Sequence, residues 1–221
     1  MTSRPGIDTP DARGRTGLHL TGRDLHGNPD VEVLDVELLS SNWSVLRNNT
    51  YTYRHRDGRV TTETRETYDR GNGATILLYD ASRRTVLLTR QFRFPAYVND
   101  HPDGMLLETA AGLLDGDDPE TAIRREAEEE TGHTVGEVEH VFEAYMSPGS
   151  VTERLSFYAA PYSAESRTSA GGGIAHEGED IEVVELPIER ALALVESGEI
   201  EDAKTIMLLQ WAVLRGPFRG A

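Results

Sequence analysis

Residues 112–132 read GLLDGDDPETAIRREAEEETG, and this stretch sets the fold expected for the chain. Asp118 can accept hydrogen bonds from the free amides of a helix start, and Pro119 suits the first helical position because it has no amide to leave unpaired. Gly132 suits the left-handed conformation that commonly ends a helix. The stretch therefore predicts a Gly- and Asp-rich loop followed by a helix that ends at Gly132.

Three carboxylates share one face of the predicted helix. Glu126, Glu129 and Glu130 stand at spacings i, i+3 and i+4, whereas Glu128 points to another side. Like charges this close repel each other, so a hard divalent cation that neutralises them would explain the arrangement. Ligands that are all oxygen atoms favour Mg²⁺, with Mn²⁺ as a possible substitute. The spacing thus predicts a metal site on this helix.

A plainer interpretation is an ordinary solvated helix face. Charged runs are common on helices, and the adjacent Arg124 and Arg125 could form compensating ion pairs. We expect the face with Glu130 to be exposed, so that replacing this residue should cost the core nothing. Taken alone, the helix leaves both interpretations open, and its surroundings favour the metal site.

The surroundings resemble the Nudix box, a motif with a first glycine, an acidic residue, an Arg-Glu pair, two adjacent glutamates and a closing glycine. The matching positions are Gly112, Arg125, Glu126, Ala127, Glu129, Glu130 and Gly132. Asp118 stands where the motif has its first glutamate, the spacer after it (residues 119–124) is one residue short, and His133 replaces an aliphatic residue. These departures leave the metal-binding half of the motif intact.

Other blocks resemble one branch of that family, the GDP-mannose pyrophosphatases and the related ADP-ribose pyrophosphatases. The blocks are YDRGNGA at 68–74, RQFR at 90–93, AAGLLD at 110–115, MSPG at 146–149 and AGGG at 170–173. The resemblance covers residues 34–214 and implies a mixed α/β (α+β) Nudix fold, with a mixed β-sheet sandwiched between helices and a small N-terminal antiparallel sheet. It implies hydrolysis of the diphosphate of a nucleotide sugar, with GDP-mannose favoured over ADP-ribose. A Nudix-fold sensor that binds a nucleotide without cleaving it is the alternative from another class.

By this resemblance, the metal ion would be held by the backbone carbonyl of Ala111 and the side chains of Glu126 and Glu130. Glu129 would complete the cluster from the same face. Arg125, by its place in the motif, would orient the carboxylates. These five residues form the expected catalytic core.

A long loop at residues 163–178 is expected to complete the site. In the related enzymes a glutamate of this loop joins the metal on closing, and Glu179 aligns with it. Glu177 is the candidate for the base that deprotonates the attacking water, a role that needs a carboxylate within hydrogen-bond reach. The glycines at 171–173 suit a loop that must move. The alternative is that this acidic loop is only solvated.

Six further residues match substrate-contacting positions of the family: Trp43, Arg65, Glu66, Arg93, Glu153 and Lys204. Arg93 would pair with phosphate oxygens, because a planar guanidinium can donate two parallel hydrogen bonds. Trp43 aligns with an aromatic side chain that stacks on the base, but a lone tryptophan near an apolar run can equally belong to the core. Both interpretations of Trp43 stay open.

The chain is expected to divide into three parts. Residues 1–30 are polar and indicate a flexible tail, and residues 31–70 carry hairpin signals, including a turn at Asp57-Gly58, that indicate a small dimerisation sheet. Residues 71–221 would form the Nudix hydrolase domain. Its predicted strands are 74–79, 85–93, 138–145, 155–160 and 181–186, and its later helices are 188–196 and 204–214.

Composition excludes several classes of binding partner and site for the chain. A formal net charge of −16 would repel a phosphate backbone, so nucleic acid is not expected. No apolar run approaches the roughly 20 residues of a membrane span, and the polar N-terminus gives no support for export, so the cytoplasm is the expected location. The absence of cysteine excludes disulfides and thiolate metal sites.

A homodimer is also expected. A separate two- or three-stranded sheet is marginally stable and exposes edge strands, so it should bury them against another surface. By resemblance, the sheet from about Val31 to Tyr68 would cross to the partner subunit and carry Arg65 and Glu66 into its active site. Such a swap provides the missing surface at low cost.

Overall fold

The computed structural model describes residues 25–174 and 178–220. Most of the expected tail, residues 1–24, and the candidate base Glu177 lie outside the described residues. The chain divides into two compact units. The first comprises the chain up to Asn72 together with Tyr145–Arg154, and the second comprises Gly73–Ala144 and Leu155–Ala221.

The first unit is built on a three-stranded antiparallel sheet. Its strands are β1 (Val31–Ser41), β2 (Val45–Arg54) and β3 (Val60–Asp69), with β2 in the middle. The turn between β2 and β3 contains Gly58 with a φ of 83°, the left-handed conformation that an Asp-Gly turn favours. The hairpin predicted around Asp57-Gly58 is therefore confirmed, and it is formed by β2 and β3.

The segment Tyr145–Arg154 belongs to the first unit, which the sequence did not predict. The amide of Thr152 donates to the carbonyl of Tyr68 at 3.1 Å, and its hydroxyl donates to Asp69 Oδ1 at 3.1 Å. Asp69 Oδ2 in turn lies 2.9 Å from Nη1 of Arg47, a fully buried side chain. A buried ion pair thus fixes this segment to the end of β3.

The second unit contains a seven-stranded mixed sheet. Its strands are β4 (Gly73–Asp80), β5 (Thr85–Phe92), β6 (Met105–Glu108), β7 (Ala110–Leu113), β8 (Glu139–Tyr145), β9 (Arg154–Pro161) and β10 (Glu182–Pro187). The central order is β10-β5-β4-β9-β8. In addition, β6 pairs with β5, and β7 pairs with β4. β4 pairs in parallel with β9 and antiparallel with β5, which makes the sheet mixed as predicted.

The helices are α1 (Phe94–Val98), α2 (Pro119–Thr131), α3 (Ile188–Ser197) and α4 (Ala203–Leu214). α2 covers one face of the sheet, where Ile123 and Ala127 share a buried cluster with Ile76 and Leu78 of β4. Alternate residues of a strand point to the same face, so one row of β4 faces α2.

The opposite row of β4 faces α4. The hydroxyl of Thr75 lies 2.8 Å from that of Thr109, and the amide of Thr109 donates to the hydroxyl of Thr205 on α4 at 2.7 Å. All three threonines are buried. The sheet therefore lies between α2 and α4, in agreement with the predicted sandwich.

β6, β7 and α1 were not predicted. β7 consists of two alanines, a glycine and a leucine, and alanine and glycine have weak strand preference. It forms because it pairs with β4, with Thr75 opposite Ala111. α1 is a single short helix that begins with Phe94 and Pro95. Within the described ranges, no helix is long and apolar enough to cross a bilayer.

Candidate active site

Both ends of α2 are fixed by the residues that the sequence indicated. Asp118 caps the helix, since its Oδ1 accepts the amide of Thr121 at 3.1 Å and its Oδ2 accepts the Thr121 hydroxyl at 2.6 Å. Gly132 ends the helix with a φ of 76°. The acidic residue of the shortened motif thus has a structural role at the helix start.

The three predicted carboxylates lie on one side of α2, but they are far from equally exposed. The side chain of Glu129 is 31% exposed and that of Glu126 17%, whereas Glu130 as a whole is only 3% exposed. The expectation of an exposed helix face at Glu130 is therefore wrong. α2 lies close to β7, and this contact buries Glu130. An ordinary solvated face does not describe such a residue.

β7 forms the floor beneath these carboxylates. The amide of Ala111 donates to Glu130 Oε2 at 3.3 Å. A Cβ atom at Gly112 would lie 2.1 Å from Cδ of Glu126, so only glycine leaves room for this carboxylate against the strand. Ala111 and Gly112 therefore bring backbone groups into the same space as Glu126 and Glu130.

Burial and mutual repulsion change the acidity of this pair. Burial, followed by repulsion from Glu129, raises the pKa of Glu126 to about 7 although Arg125 opposes the shift. Burial, followed by repulsion from Glu126, raises the pKa of Glu130 to about 8. The charge of Glu179 also raises both values. Glu129 and Glu179 thus act on Glu126, and Glu126 and Glu179 act on Glu130.

Arg125 lies at the edge of this cluster. Its Nη1 donates to Asp117 at 2.7 Å, its Nη2 lies 3.4 Å from Glu126 Oε1, and its Nε lies 4.0 Å from Glu129 Oε2. One guanidinium therefore connects the loop before α2 with two of the carboxylates. This geometry supports the predicted orienting role of Arg125.

The glycine segment at residues 171–173 packs on the end of α2. The amides of Gly172 and Gly173 donate to the carbonyls of Glu130 and Glu129 at 2.9 and 3.0 Å. The amide of Ile174 donates to Glu179 Oε2 at 2.7 Å. Residues 171–174 therefore link the backbone of α2 to the carboxylate of Glu179.

Arg93 and Lys204 converge on a residue that the sequence analysis missed. Arg93 Nε and Nη2 donate to Glu108 Oε1 and Oε2 at 2.9 and 2.6 Å, and Lys204 Nζ lies 3.0 Å from Glu108 Oε2. Glu108 is 2% exposed. A single glutamate in a short strand carries no local signal of this role, because its partners stand 15 and 96 residues away.

The remaining predicted residues lie in the first unit. Trp43 is 65% exposed, which excludes the interpretation that it belongs to the core. Arg65 Nη2 lies 3.0 Å from Glu63, and Glu66 is exposed on the same strand. Glu153 is largely buried, 3.4 Å from Nε of Arg70.

The donors around β7 fit a hard divalent cation. Glu126, Glu130 and the backbone carbonyl of Ala111 offer only oxygen ligands for a cation, and a bound cation would favour the charged form of both carboxylates. Among residues 25–174 and 178–220, no three acidic or histidine side chains already stand in metal-binding geometry.

Two family models match the chain in succession. A model described as the N-terminal domain of the GDP-mannose pyrophosphatase NudK matches residues 30–68, and a model described as the NUDIX domain matches residues 69–209. The chain therefore belongs to the Nudix family of hydrolases, whose members generally use divalent metal ions.

Curated relatives are similar over most of their length. A GDP-mannose pyrophosphatase of Pectobacterium atrosepticum is 54% identical over 188 residues, covering 85% of this chain and 96% of the relative. Those of Salmonella typhimurium and Klebsiella pneumoniae are 55% and 52% identical, covering 82% and 86% of this chain and 94% and 96% of the relatives. These similarities confirm the branch that the sequence blocks indicated.

Proposed function

We propose that this chain hydrolyses GDP-mannose to GMP and mannose 1-phosphate with Mg²⁺ as cofactor, for which Mn²⁺ can substitute. The observation that carries the proposal is the packing of Glu126 and the buried Glu130 against β7, where both pKa values are raised and a cation would stabilise the charged forms. The choice of substrate follows the curated relatives, which are named GDP-mannose pyrophosphatases.

The metal would be held by Glu126, Glu130, the Ala111 carbonyl and Glu179. A bound divalent cation supplies neutralisation of the diphosphate and a lowered pKa for the attacking water. Glu129 adds negative charge at the same face, and Arg125 holds Glu126 in place through a contact of 3.4 Å. Water then attacks a phosphorus atom, the bridging P–O bond breaks, and the leaving phosphate carries away its electron pair.

The substrate would be bound mainly through its phosphates. Arg93 and Lys204 offer two cations close together, a suitable pair for diphosphate oxygens. Glu177 remains the candidate base by its place in the motif. Trp43 would stack on the base, because it is 65% exposed and carries a flat aromatic ring.

We further propose a homodimer in which the sheet from about Val31 to Tyr68 carries Arg65 and Glu66 into the active site of the partner subunit. Glu153 would also contact the substrate. Support comes from the first unit, where β1 and β3 are the outer strands of the described sheet and β3 is bridged to Val151 at Tyr68. The proposed partners do not include nucleic acid or a membrane. The cytoplasm stays the predicted location.

A turnover screen tests the function. Purified protein is incubated with GDP-mannose, ADP-ribose and other nucleotide sugars, with Mg²⁺, Mn²⁺ or EDTA, and products are separated by ion-exchange chromatography. We expect GMP and mannose 1-phosphate only with metal, and the highest kcat/KM for GDP-mannose. A higher kcat/KM for ADP-ribose would transfer the assignment to that substrate. Binding without release of any nucleoside monophosphate would instead identify a sensor.

A further inference from the structure

Glu108 ends β6 as an almost completely buried carboxylate. Its Oε1 accepts one hydrogen bond from Arg93, and its Oε2 accepts a second from Arg93 and a third from Lys204. A buried charge costs several kcal/mol unless it is paired and hydrogen-bonded in this way. Glu108 therefore remains charged inside the protein because two cations are fixed to it.

The bonds to Glu108 determine which donors of the two cations remain available. Arg93 has five N–H donors, and the bidentate contact uses one on Nε and one on Nη2. Its side chain is still 39% exposed. Lys204 Nζ uses two of its three donors, on Glu108 and Asp202. Each cation therefore keeps donors for a further anion, in an orientation set by the buried carboxylate.

The position of Lys204 is itself fixed by the start of α4. Asp202 caps this helix, since its Oδ2 accepts the Thr205 amide at 3.0 Å and the Thr205 hydroxyl at 2.6 Å. The Thr205 hydroxyl accepts the amide of Thr109, the residue after Glu108, at 2.7 Å. β6 and α4 are thus joined by two adjacent contacts. A substitution of Glu108 would therefore alter the positions of both Lys204 and Arg93.

We propose that Glu108 is a positioning residue for substrate binding, which holds Arg93 and Lys204 side by side with their remaining donors directed to the diphosphate. Without the carboxylate between them, the two cations would repel and the guanidinium could rotate freely about its side-chain bonds. The inference rests on the proposed function, because it needs a diphosphate substrate at these cations. In this role Glu108 acts on the substrate through Arg93 and Lys204 and does not itself contact it.

Steady-state kinetics with GDP-mannose and Mg²⁺ test the inference. The variants are Glu108→Asp, Glu108→Gln, Arg93→Ala and the double variant Glu108→Gln/Arg93→Ala. Glu108→Asp keeps the buried charge but shortens its reach, so we expect KM to rise ~10-fold while kcat stays within ~3-fold. If Glu108 acts through Arg93 and Lys204, adding Glu108→Gln to Arg93→Ala should raise KM by a smaller factor than Glu108→Gln raises it in the wild type, because part of its effect is already lost with Arg93.

Glu185→Gln is the matched control, because Glu185 also pairs with an arginine, Arg83, but at a place without a proposed substrate contact. It should lower the melting temperature without changing KM. Independent, multiplicative effects of Glu108→Gln and Arg93→Ala on KM would overturn the positioning role, and so would a loss of stability in Glu108→Asp with unchanged KM. A wild-type protein that hydrolyses no nucleotide sugar would overturn the proposed function, and this inference with it.

Discussion

Burial gives Glu130 properties that a solvated glutamate lacks. The carboxylate touches the Ala111 amide and is repelled by Glu126, so its charged form is disfavoured until a cation arrives. Burial and repulsion from Glu129 also disfavour the charged form of Glu126, but the positive charge of Arg125 partly offsets this effect. At the scale of single residues, the site is therefore organised for a ligand with positive charge.

Glu130→Gln should reduce kcat at least ~100-fold, because an amide is a much weaker ligand for a hard cation than a carboxylate. The fold should be retained, since glutamine has the same shape and can still accept the Ala111 amide. In EDTA the melting temperature should be unchanged or slightly higher, because repulsion from Glu126 is lost. Glu128→Gln is the control, as this exposed carboxylate contacts only the Thr168 hydroxyl among the hydrogen bonds of the described chain. Near-normal turnover of Glu130→Gln would remove the metal-site assignment.

Glu179→Ala should lower kcat steeply and change KM little, because the residue would complete the charge arrangement of the transition state rather than bind the substrate. Glu182→Ala is the matched control, since Glu182 lies nearby in sequence on β10 and is exposed. Steady-state kinetics on both variants give the measurement. A rise in KM without loss of kcat would assign Glu179 to substrate binding instead.

Among the elements, the glycine segment has the clearest structural purpose. Gly173 has a φ of 76°, and a Cβ at this position would lie 2.5 Å from Glu179 Oε2. The three glycines were interpreted as a sign of a loop that must move. The structure adds that they allow backbone amides to approach the carbonyls at the end of α2.

Gly173→Ala should therefore lower kcat ~10-fold or more, because it combines backbone strain of roughly 1–2 kcal/mol with displacement of Glu179. Gly198→Ala, at the end of α3, is an informative control: its φ is 80°, so the strain is similar, but a Cβ there meets nothing within 4 Å. Kinetics and thermal unfolding of both variants separate strain from displacement. Equal kcat values in the two variants would mean that the contact with Glu179 has no catalytic effect.

α2 was predictable because its two ends carry local signals, whereas the connection between β6 and α4 was not. Asp118 and Gly132 mark the helix ends through interactions within a few residues. Glu108 acts on Arg93 and Lys204 across long stretches of chain, and only the folded sheet brings these residues together. The burial of Glu130 was missed for the same reason, since β7 forms by pairing with β4 and not by its own residue preferences.

The connection through Glu108 should make stability depend on acid pH. Burial alone would raise the pKa of Glu108, but the hydrogen bonds from Arg93 and the charge of Lys204 hold it at about 2, below the ordinary 4.5. A lowered pKa means stability that is present above pH 4.5 and is lost as the pH falls from 4.5 towards 2. The contribution is on the order of 3 kcal/mol. Urea unfolding at pH values from 4.5 to 2 should show the free energies of unfolding of the wild type and of Glu108→Gln converging as the pH falls. A constant difference between the two proteins over this pH range would contradict the ion pair.

For the molecule as a whole, the first unit presents a surface that needs an explanation. Its sheet has only three strands, and Leu34, Leu39, Trp43 and Val60 are each more than 40% exposed. Small sheets with open edges and apolar side chains are usually covered by another surface. A second copy of this chain would provide that surface, as in the proposed homodimer.

If the first unit serves the partner's active site, catalysis must depend on association, and mixed subunits reveal it. Arg65→Ala and Glu130→Gln homodimers should each be nearly inactive, because every site lacks either the substrate contact or the metal ligand. In a heterodimer, intact Arg65 and intact Glu130 would meet in one of the two sites. After unfolding and refolding in equal amounts, a random mixture should recover ~25% of wild-type activity. Light scattering establishes the dimer, and separately refolded parents are the control. An active monomer, or a mixture no more active than its parents, would exclude the shared site while leaving the metal-site prediction intact.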